Sequence, residues 1–324
     1  MARRKKGNPV HGWLVLDKPL NITSNKALGT VKRLFNAQKA GHAGTLDPLA
    51  SGILPIAFGE ATKTVSYAVD GEKAYRFTVQ WGAETTTDDA EGEFVATSDK
   101  RPGPEDINAV LDQFVGEIAQ VPPKFSAIKV DGERAYDLAR DGEDVELAAR
   151  PVFIDSLTAI DHPQDGQTVF EATCGKGTYV RALARDMGRV LGCYGYVIAL
   201  RRTKVGPFDE EQAVTLDEIR EIGSPPEINE AGVGDDFPEF DAETAAIELR
   251  QFLQPVATAL RSLPDYAVTA NDAASLSRGQ AVLLRGRDAP VSSGMGYATC
   301  GGEVVALVEA DRGSLKPFRV FHLG

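Results

Sequence analysis

The feature that most constrains the fold is residues 168–192, TVFEATCGKGTYVRALARDMGRVLG, where the spacing of apolar side chains changes from two residues to about 3.6. The alternating positions are Phe170, Ala172 and Cys174, and the helical positions are Val180, Leu183, Ala184, Met187 and Leu191. Gly175–Gly177 provides a tight turn between them, and Thr178 is a candidate helix cap. The segment therefore predicts a strand, a glycine turn and a helix in succession, which is a natural place to present functional side chains.

Further strands and helices are predicted upstream of this segment. The apolar run Trp13–Leu16 is followed by the step Lys18-Pro19, and it predicts a buried strand that delivers a lysine to a loop. A helix with one basic side is predicted after Thr23. Residues 75–81, YRFTVQW, alternate as in a half-buried strand, and residues 104–119 have a helical pattern.

The expected fold belongs to the α/β class, in its α+β type, with a mixed, largely antiparallel sheet and flanking helices. A length of 324 residues favours two domains over one. Residues 209–252 are strongly acidic and contain few large apolar side chains, which predicts a linker or insertion that packs poorly. Short apolar segments separated by glycine-rich turns occupy residues 253–324 and indicate a small β-rich domain. The basic tail at residues 1–8 is expected to be flexible.

Charge is distributed unevenly along the chain. The formal net charge is −12, but the first 70 residues carry ten Lys or Arg against four Asp or Glu. A basic face can therefore exist on an acidic protein. Binding to nucleic acid depends on such a face, because cationic side chains displace the counterions of phosphates. The charge pattern thus permits RNA as a partner without proving it.

Composition argues against several other classes of protein. No apolar run approaches the roughly 18 residues of a membrane span, and no apolar stretch follows the basic N-terminal residues, so we expect a cytoplasmic protein without a secretory signal. Cys174, Cys193 and Cys300 are far apart and lack CxxC spacing, which argues against a disulfide framework and a thiolate metal site. The sequence also lacks a P-loop, an HExxH motif and a GxGxxG turn before a helix.

The loop GHAGTLDPLASG at residues 41–52 places a single aspartate, Asp47, between Leu46 and Pro48. Asp-Pro steps commonly open turns, because aspartate accepts a hydrogen bond from the nearby main chain and proline fixes φ. Alternatively, the loop holds one carboxylate toward a substrate. From the residues alone, the two interpretations are evenly balanced.

Four segments share their order and spacing with one known family. They are GHAGTLDPLASGILPIAFGEATK at 41–63, PPKFSAIKVDGERAYDLAR at 122–140, CGKGTYVRALARDMG at 174–188 and LRRTKVGPF at 200–208. GWLVLDKPLNITSN at 12–25 fits as well. Together they resemble the bacterial tRNA pseudouridine-55 synthases, the TruB family. The resemblance identifies residues 9–208 as a catalytic domain and implies a small PUA-like RNA-binding domain at 253–324.

The resemblance implies a reaction and a catalytic carboxylate. The family converts a uridine in the T-loop of tRNA to its C-glycoside isomer, without a metal or an organic cofactor. Breaking the N1–C1′ bond and joining C5 to C1′ requires a carboxylate that stabilises positive charge on the ribose or attacks covalently, as in glycosidases. The resemblance assigns this role to Asp47, and it leaves open attack on C1′, attack on the base, and removal of the 2′ proton. An ionised carboxylate in a pocket that excludes water needs a nearby cation, which the resemblance identifies as Arg181.

The resemblance also implies a pocket for the target base. A uridine inside a folded T-loop must leave its stack, and enzymes hold such a base between aromatic and apolar side chains. The matching positions in and around the pocket are His42, Tyr75, Tyr179, Leu200, Lys18, Pro19 and Lys129. Tyr75 would stack on the uracil and is a candidate to accept the C5 proton. Residues 122–150 match the family's RNA-gripping insertion.

Each of these residues also has a structural interpretation when it is considered without the family. Tyr75 fits a core aromatic on one strand face, and Arg181 fits a helix-surface charge paired with Asp186. The loop GAETTTDDAEG at residues 82–92 resembles a strand-end motif of the family, but Thr86 occupies a position that is usually acidic, and we assign this loop no role.

Three functions are compatible with the sequence. The first is a tRNA pseudouridine synthase that requires Asp47. The second is a non-catalytic protein that binds or folds tRNA, for which Asp47→Asn would change nothing. The third is a hydrolase that cleaves the glycosidic bond and releases free base, which is disfavoured because hydrolysis usually uses two carboxyl groups and the loop offers one. The expected partner is the T-arm of tRNA, bound by a monomer without metal.

Overall fold

The computed structural model describes residues 7–126, 147–223, 241–284 and 293–323, together with the main chain of 129–130 and 133–134. The described residues form two compact units. Unit 1 is drawn from Met1–Pro48, Gly52–Val69 and Gly206–Gly324, and unit 2 from Leu49–Ser51 and Asp70–Val205. The domain boundaries expected at 208/209 and 252/253 stay predictions.

The elements of the first half of the chain are β1 (Gly12–Lys18), α1 (Ser24–Leu34), β2 (Ala40–His42), β3 (Ala50–Phe58), α2 (Val65–Asp70), β4 (Lys73–Trp81), β5 (Ala83–Thr85), β6 (Phe94–Thr97), α3 (Pro104–Leu111), β7 (Gly116–Gln120), β8 (Lys129–Val130), β9 (Glu133–Arg134) and β10 (Arg150–Asp161). Those of the second half are β11 (Gln167–Cys174), α4 (Val180–Leu191), β12 (Gly195–Val205), β13 (Phe208–Asp209), β14 (Val214–Thr215), α5 (Leu216–Gly223), α6 (Ala242–Glu248), β15 (Asp265–Ala267), α7 (Ala270–Ser277), β16 (Val282–Leu283), β17 (Gly294–Cys300), β18 (Glu303–Asp311) and β19 (Ser314–Val320).

Unit 2 is built on an antiparallel sheet with the strand order β12-β4-β11-β10-β7. The predicted apolar face of β4 is buried through Phe77, Val79 and Trp81. The apolar positions predicted for α4 pack onto the same core, among them Leu183 and Met187. A helix of this length is marginal by itself, so its stability depends on this packing. The strand, turn and helix predicted over residues 168–192 are confirmed.

Unit 1 contains β1 at the centre of a small set of strands. β1 pairs antiparallel with β3 and parallel with β14, so the sheet is mixed as expected. Trp13–Leu16 is fully buried, which confirms the predicted strand. Helix α1 begins after Thr23, whose side chain accepts a hydrogen bond from the main-chain N–H of Lys26 at 3.1 Å. This N-cap satisfies one of the unpaired donors of the first helical turn.

A second, five-stranded sheet in unit 1 has the order β15-β17-β18-β19-β16, with α7 packed on it through Leu276. The β-rich character expected for the C-terminal part is confirmed. Main-chain bonds tie the segment before this sheet to β1: Trp13 N–H donates to Gln254 O at 2.8 Å, and Gln254 N–H donates to Trp13 O at 2.6 Å. Lys63 Nζ also donates to Val320 O at 2.8 Å. The C-terminal sheet and the segment before it therefore both contact the N-terminal part of their unit.

Expectations for two longer segments are wrong. The helix predicted over 104–119 is confined to α3 and one 3₁₀ turn, because Gly116 adopts φ 89° and the following residues pair with β10 as β7. The acidic segment 209–252 was expected to pack poorly, yet Leu216, Ile219 and Leu249 are buried within it. A few well-spaced apolar residues are enough to bury one face of a short helix.

Residues 224–240 of the acidic segment and most of the basic tail lie outside the described residues. Within the described part of the chain, no helix is both long enough and apolar enough to cross a membrane.

Candidate active site

Asp47 lies in the loop between β2 and β3, and its main-chain neighbours on both sides are held by the β1–α1 segment. Ser24 Oγ accepts a hydrogen bond from Leu46 N–H at 2.8 Å and donates one to Leu46 O at 2.9 Å. Asn21 N–H donates to Pro48 O at 2.8 Å. Leu46 is itself buried. The main chain that carries Asp47 is thus fixed immediately before and after this residue.

Lys18, at the end of β1, is fully buried and supports the segment that carries Asn21. Its Nζ donates to the carbonyl oxygens of Pro19 at 2.8 Å and Ile22 at 2.9 Å. Pro19 is exposed at the start of this segment. The prediction of a lysine where the strand meets a loop is confirmed. Its two hydrogen bonds hold the segment that contacts the Asp47 loop through Asn21. His42 is the half-buried last residue of β2, and its main chain pairs with Ile56.

We predict that Ser24→Ala slows catalysis more than it weakens RNA binding. The substitution leaves the buried N–H and C=O of Leu46 without their partner, which costs about 1–3 kcal/mol of stability. A shift of about 1 Å at Asp47 would slow the chemical step by roughly 10- to 100-fold. Single-turnover kinetics with saturating tRNA measures the effect. Thr23→Ala is the matched control, since it removes the cap of the same helix and leaves both Leu46 bonds intact. Equal losses of rate in the two variants would contradict this account.

Tyr75 and Leu200 lie on neighbouring strands of unit 2. Leu200 on β12 is opposite Phe77 on β4, while Tyr75 on β4 is opposite Arg202 on β12. Both are partly buried and pack against the edge of the core beneath α4. Tyr75 therefore lies on the core face of β4, as expected for a core aromatic. It is only partly buried there, which is compatible with a role in binding.

Tyr179 is the N-cap residue of α4, in extended conformation with φ −108° and ψ 111°. The side chain of Gln120 holds its main chain twice: Tyr179 N–H donates to Gln120 Oε1 at 2.9 Å, and Gln120 Nε2 donates to Tyr179 O at 3.2 Å. Gln120 is buried at the end of β7. The capping role predicted for Thr178 is wrong, because helix α4 begins one residue later.

Arg181 in the first turn of α4 is buried and bonded in three directions. Its Nη1 donates to Thr87 O at 3.0 Å and to Asp89 Oδ2 at 3.2 Å, and its Nη2 donates to Phe125 O at 3.0 Å. The alternative of a surface charge paired with Asp186 is wrong. The prediction that Arg181 is the cation for Asp47 stays a prediction.

The next two arginines on the same face of α4 repeat this arrangement. Arg185 Nη1 donates to Asp88 Oδ2 at 3.0 Å, and its Nη2 donates to Val121 O at 2.8 Å. Arg189 makes a bidentate pair with Glu84, at 2.8 and 2.6 Å. We call these three pairs, 181 with 89, 185 with 88 and 189 with 84, the arginine ladder. The ladder ties α4 both to the loop after β4 and to the main chain that follows β7.

The arginine ladder uses a loop to which the sequence analysis assigned no role. Thr86, the residue that departs from the family pattern, is exposed and accepts a hydrogen bond from Glu93 N–H at 3.2 Å. Position 86 thus lies outside the ladder, which explains why a neutral residue is compatible with it. Arginines at i, i+4 and i+8 on α4, together with four carboxylates in residues 82–92, were the available signal.

Asp88 is buried in the middle of the ladder with φ 62°. Burial raises the pKa of its carboxyl group to about 6, against the opposing effect of Arg185 and Arg181. The folded protein therefore takes up a proton at Asp88 at a higher pH than the unfolded chain, whose aspartates titrate near about 3.9.

We predict that Asp88→Asn removes a pH-dependent component of stability. Between about pH 4 and 6 the folded wild type binds more protons at this site than the unfolded chain, so its stability relative to the variant rises as the pH falls. The full change is at most about 3 kcal/mol, because the pKa of Asp88 is about 6 in the folded protein and about 3.9 in the unfolded chain. Urea unfolding of both proteins at pH 7.5, 6 and 5 measures it. A free-energy difference that is constant over this range would show that Asp88 does not titrate there.

Lys129 lies in the short strand β8, opposite Arg134 of β9, and its side chain is outside the described part of the structure. The same holds for most of the insertion predicted at 122–150. Among the described residues, the predicted site residues thus form two groups. One is Lys18, Pro19, His42 and Asp47 in unit 1, and the other is Tyr75, Tyr179, Arg181 and Leu200 in unit 2.

Family models match most of the chain. One, described as "TruB family pseudouridylate synthase (N terminal domain)", matches residues 32–180, and another, "tRNA pseudouridylate synthase B C-terminal domain", matches residues 181–261. Proteins called tRNA pseudouridine synthase B are similar over nearly the whole chain. That of Rhodopseudomonas palustris is 57% identical over 320 residues, covering 99% of this chain and 83% of its own. That of Brucella anthropi is 51% identical over 328 residues, covering all of both chains.

Solved structures share the fold. The crystal structure of a Cbf5-Nop10-Gar1 complex matches 96% of this chain and 85% of its own with a TM-score of 0.68 at 24% identity. An H/ACA RNP bound to a substrate RNA containing 2′-deoxyuridine matches 99% of this chain and 92% of its own, with a TM-score of 0.69 at 22% identity. At these identities the likeness concerns the fold. The family matches and the identity of more than 50% over the full length decide the assignment, and the chain belongs to the TruB family of pseudouridylate synthases.

Proposed function

We propose that this protein isomerises uridine 55 in the T-loop of tRNA to pseudouridine. Membership of the TruB family supports the reaction class, and relatives at 50–57% identity carry the name tRNA pseudouridine synthase B. The observation that carries the proposal within the structure is the Asp47 loop, because the main chain at Leu46 and Pro48 is fixed by bonds from Ser24 and Asn21. A turn that served only to reverse the chain would not need this support on both sides.

In the proposed reaction the N1–C1′ bond breaks, the uracil turns, and C5 joins C1′. The C5 hydrogen leaves as a proton and N1 gains one, so substrate and product are isomers and no co-reactant is consumed. Asp47 supplies the carboxylate that the electron-deficient C1′ or the base requires. Asp47 acts by attack on C1′, by attack on the base or by removal of the 2′ proton.

The target base is proposed to leave its stack before the reaction and to bind beside Tyr75. Tyr75 stacks on the uracil, and Leu200 contacts the uracil from the neighbouring strand. Tyr179 and His42 line the rest of the base pocket. Arg181 supplies positive charge. Lys18 supports the Asp47 loop indirectly, because its Nζ donates hydrogen bonds to main-chain carbonyls of the segment that carries Asn21.

The remaining parts of the proposal concern the partner. Pro19, Lys129 and the insertion at 122–150 contact the tRNA backbone near the site, and residues 253–324 act as a PUA-like RNA-binding domain beyond the catalytic domain at 9–208. The protein is proposed to act as a monomer in the cytoplasm, where tRNA is processed, and the proposed mechanism uses no metal or organic cofactor.

The test uses an unmodified tRNA transcript with tritium at uridine C5 and the wild-type protein. Joining C5 to C1′ must expel that hydrogen, so one equivalent of tritium in water, without free uracil, is the expected result. A transcript with cytidine at position 55 is the control and should release none. Release of free uracil would identify a hydrolase, and tight tRNA binding without tritium release would identify an RNA-binding protein. Either outcome would refute the proposal.

A further inference from the structure

Arg202 on β12 lies in the motif at 200–208 and is buried opposite Tyr75, and neither the sequence analysis nor the proposed reaction gives it a role. It is 2% exposed and lies directly opposite Tyr75 on β4 in the antiparallel register. Opposed residues on antiparallel strands project to the same face of the sheet. The register shifts immediately after this position, between Arg202 and Lys204, so Arg202 is the last regularly paired residue of this stretch.

The side chains of Arg202 and Tyr75 are hydrogen-bonded to each other. A guanidinium group has donors and no acceptor, so the phenolic oxygen of Tyr75 must be the acceptor. Burial lowers the pKa of Arg202, and the bond to Tyr75 opposes that effect. Burying a guanidinium group costs free energy of desolvation unless its hydrogen bonds offset that cost. The bond to Tyr75 is one such contribution.

Lys73 is a second buried cation near Arg202. Lys73, at the start of β4, is also buried, and its Nζ donates to Gly71 O at 2.6 Å. Burial lowers the pKa of Lys73, and the charge of Arg202 lowers it further; Lys176 acts in the same direction, while Cys174 and Asp70 act in the opposite one. Two buried cations therefore lie at the end of the sheet that carries Tyr75.

We propose that Arg202 is a positioning residue for Tyr75, which it holds by a hydrogen bond to the phenolic oxygen so that the ring face is presented to the uracil. Because this oxygen lies on the Cβ–Cγ axis, anchoring it fixes the depth of the ring and its rotation about the Cα–Cβ bond. The inference rests on the proposed function, because it concerns how the base-stacking tyrosine is oriented.

A double-mutant cycle tests the inference. Wild type, Arg202→Met, Tyr75→Phe and the double variant are compared by the single-turnover rate of tritium release at saturating tRNA. We expect Arg202→Met to slow release by roughly 10- to 100-fold in the wild-type background, as befits a bond to a charged donor, with tRNA affinity nearly unchanged. In the Tyr75→Phe background, which lacks the acceptor oxygen, the same substitution should change the rate by less than about threefold.

Equal losses in both backgrounds, or no loss in either, would overturn the inference. Arg76→Met is the matched control, because Arg76 is on the same strand as Tyr75 but is half exposed and paired with Glu171, and we expect it to retain full activity. If Arg202→Met does not fold, Arg202→Lys replaces it in the cycle, since lysine keeps the charge but not the planar fork. Failure of the wild type to release tritium refutes the proposed function instead, so the two failures are distinguishable.

Discussion

Replacing Asp47 by asparagine will abolish tritium release while the protein still folds and binds tRNA. Asparagine has nearly the size of aspartate and retains an acceptor oxygen, but it carries no negative charge and is a poor nucleophile. Loss of a group that acts covalently or stabilises full charge typically costs at least about a thousandfold in rate. Single-turnover assays with labelled transcript over hours provide the range to measure such a loss.

Binding and stability are the controls for the Asp47 variant. Asp47 is held through the main chain at Leu46 and Pro48, and asparagine leaves those bonds in place, so the thermal unfolding temperature should stay within a few degrees of the wild-type value. Asp217→Asn is the matched substitution, because the side chain of Asp217 is 83% exposed in the same unit. An Asp47→Asn protein with more than about a tenth of the wild-type rate would show that this carboxylate is not the reacting group.

Elements determined by local chemistry were predictable from the sequence. The run Trp13–Leu16, the cap at Thr23 and the apolar stripe of α4 all depend on residues within one or two turns of each other, and the periods of strand and helix expose them directly. The helix predicted over 104–119 failed for a related reason. Its second half has a tolerable helical pattern, but pairing with β10, which is distant in sequence, decides its conformation.

The supporting parts of the candidate site depend on contacts between distant residues. Gln120 holds Tyr179 across 59 positions in sequence, and Ser24 holds Leu46 across 22. No local pattern distinguishes that glutamine or that serine from an ordinary polar residue. The family resemblance identified the residues proposed to face the substrate, whereas the residues proposed to orient them, including Arg202, became visible only through burial and hydrogen bonding.

Replacing Arg181 by methionine will cost both stability and activity. The side chains of Arg181 and Asp89 are each 8% exposed, so the substitution leaves a buried carboxylate without its cation and removes the bonds to Thr87 O and Phe125 O. Breaking a buried pair in this way costs about 3–5 kcal/mol. The rate should fall by at least about 100-fold, since the proposed cation of the site and its three hydrogen bonds are lost together. Urea unfolding and single-turnover tritium release measure the two effects.

A second substitution separates the structural and functional parts of that loss. Adding Asp89→Asn to Arg181→Met removes the uncompensated charge, so stability should recover while the rate stays low. Recovery of the rate together with stability would show that Arg181 serves only to neutralise Asp89. Arg189→Met is the matched control on the same helix: it also removes the cation from a buried carboxylate, because Glu84 is 11% exposed, so it should cost about 1–3 kcal/mol and leave the rate unchanged. The contrast between the two variants therefore lies in the rate, because both remove the cation from a buried carboxylate and only Arg181 belongs to the proposed site.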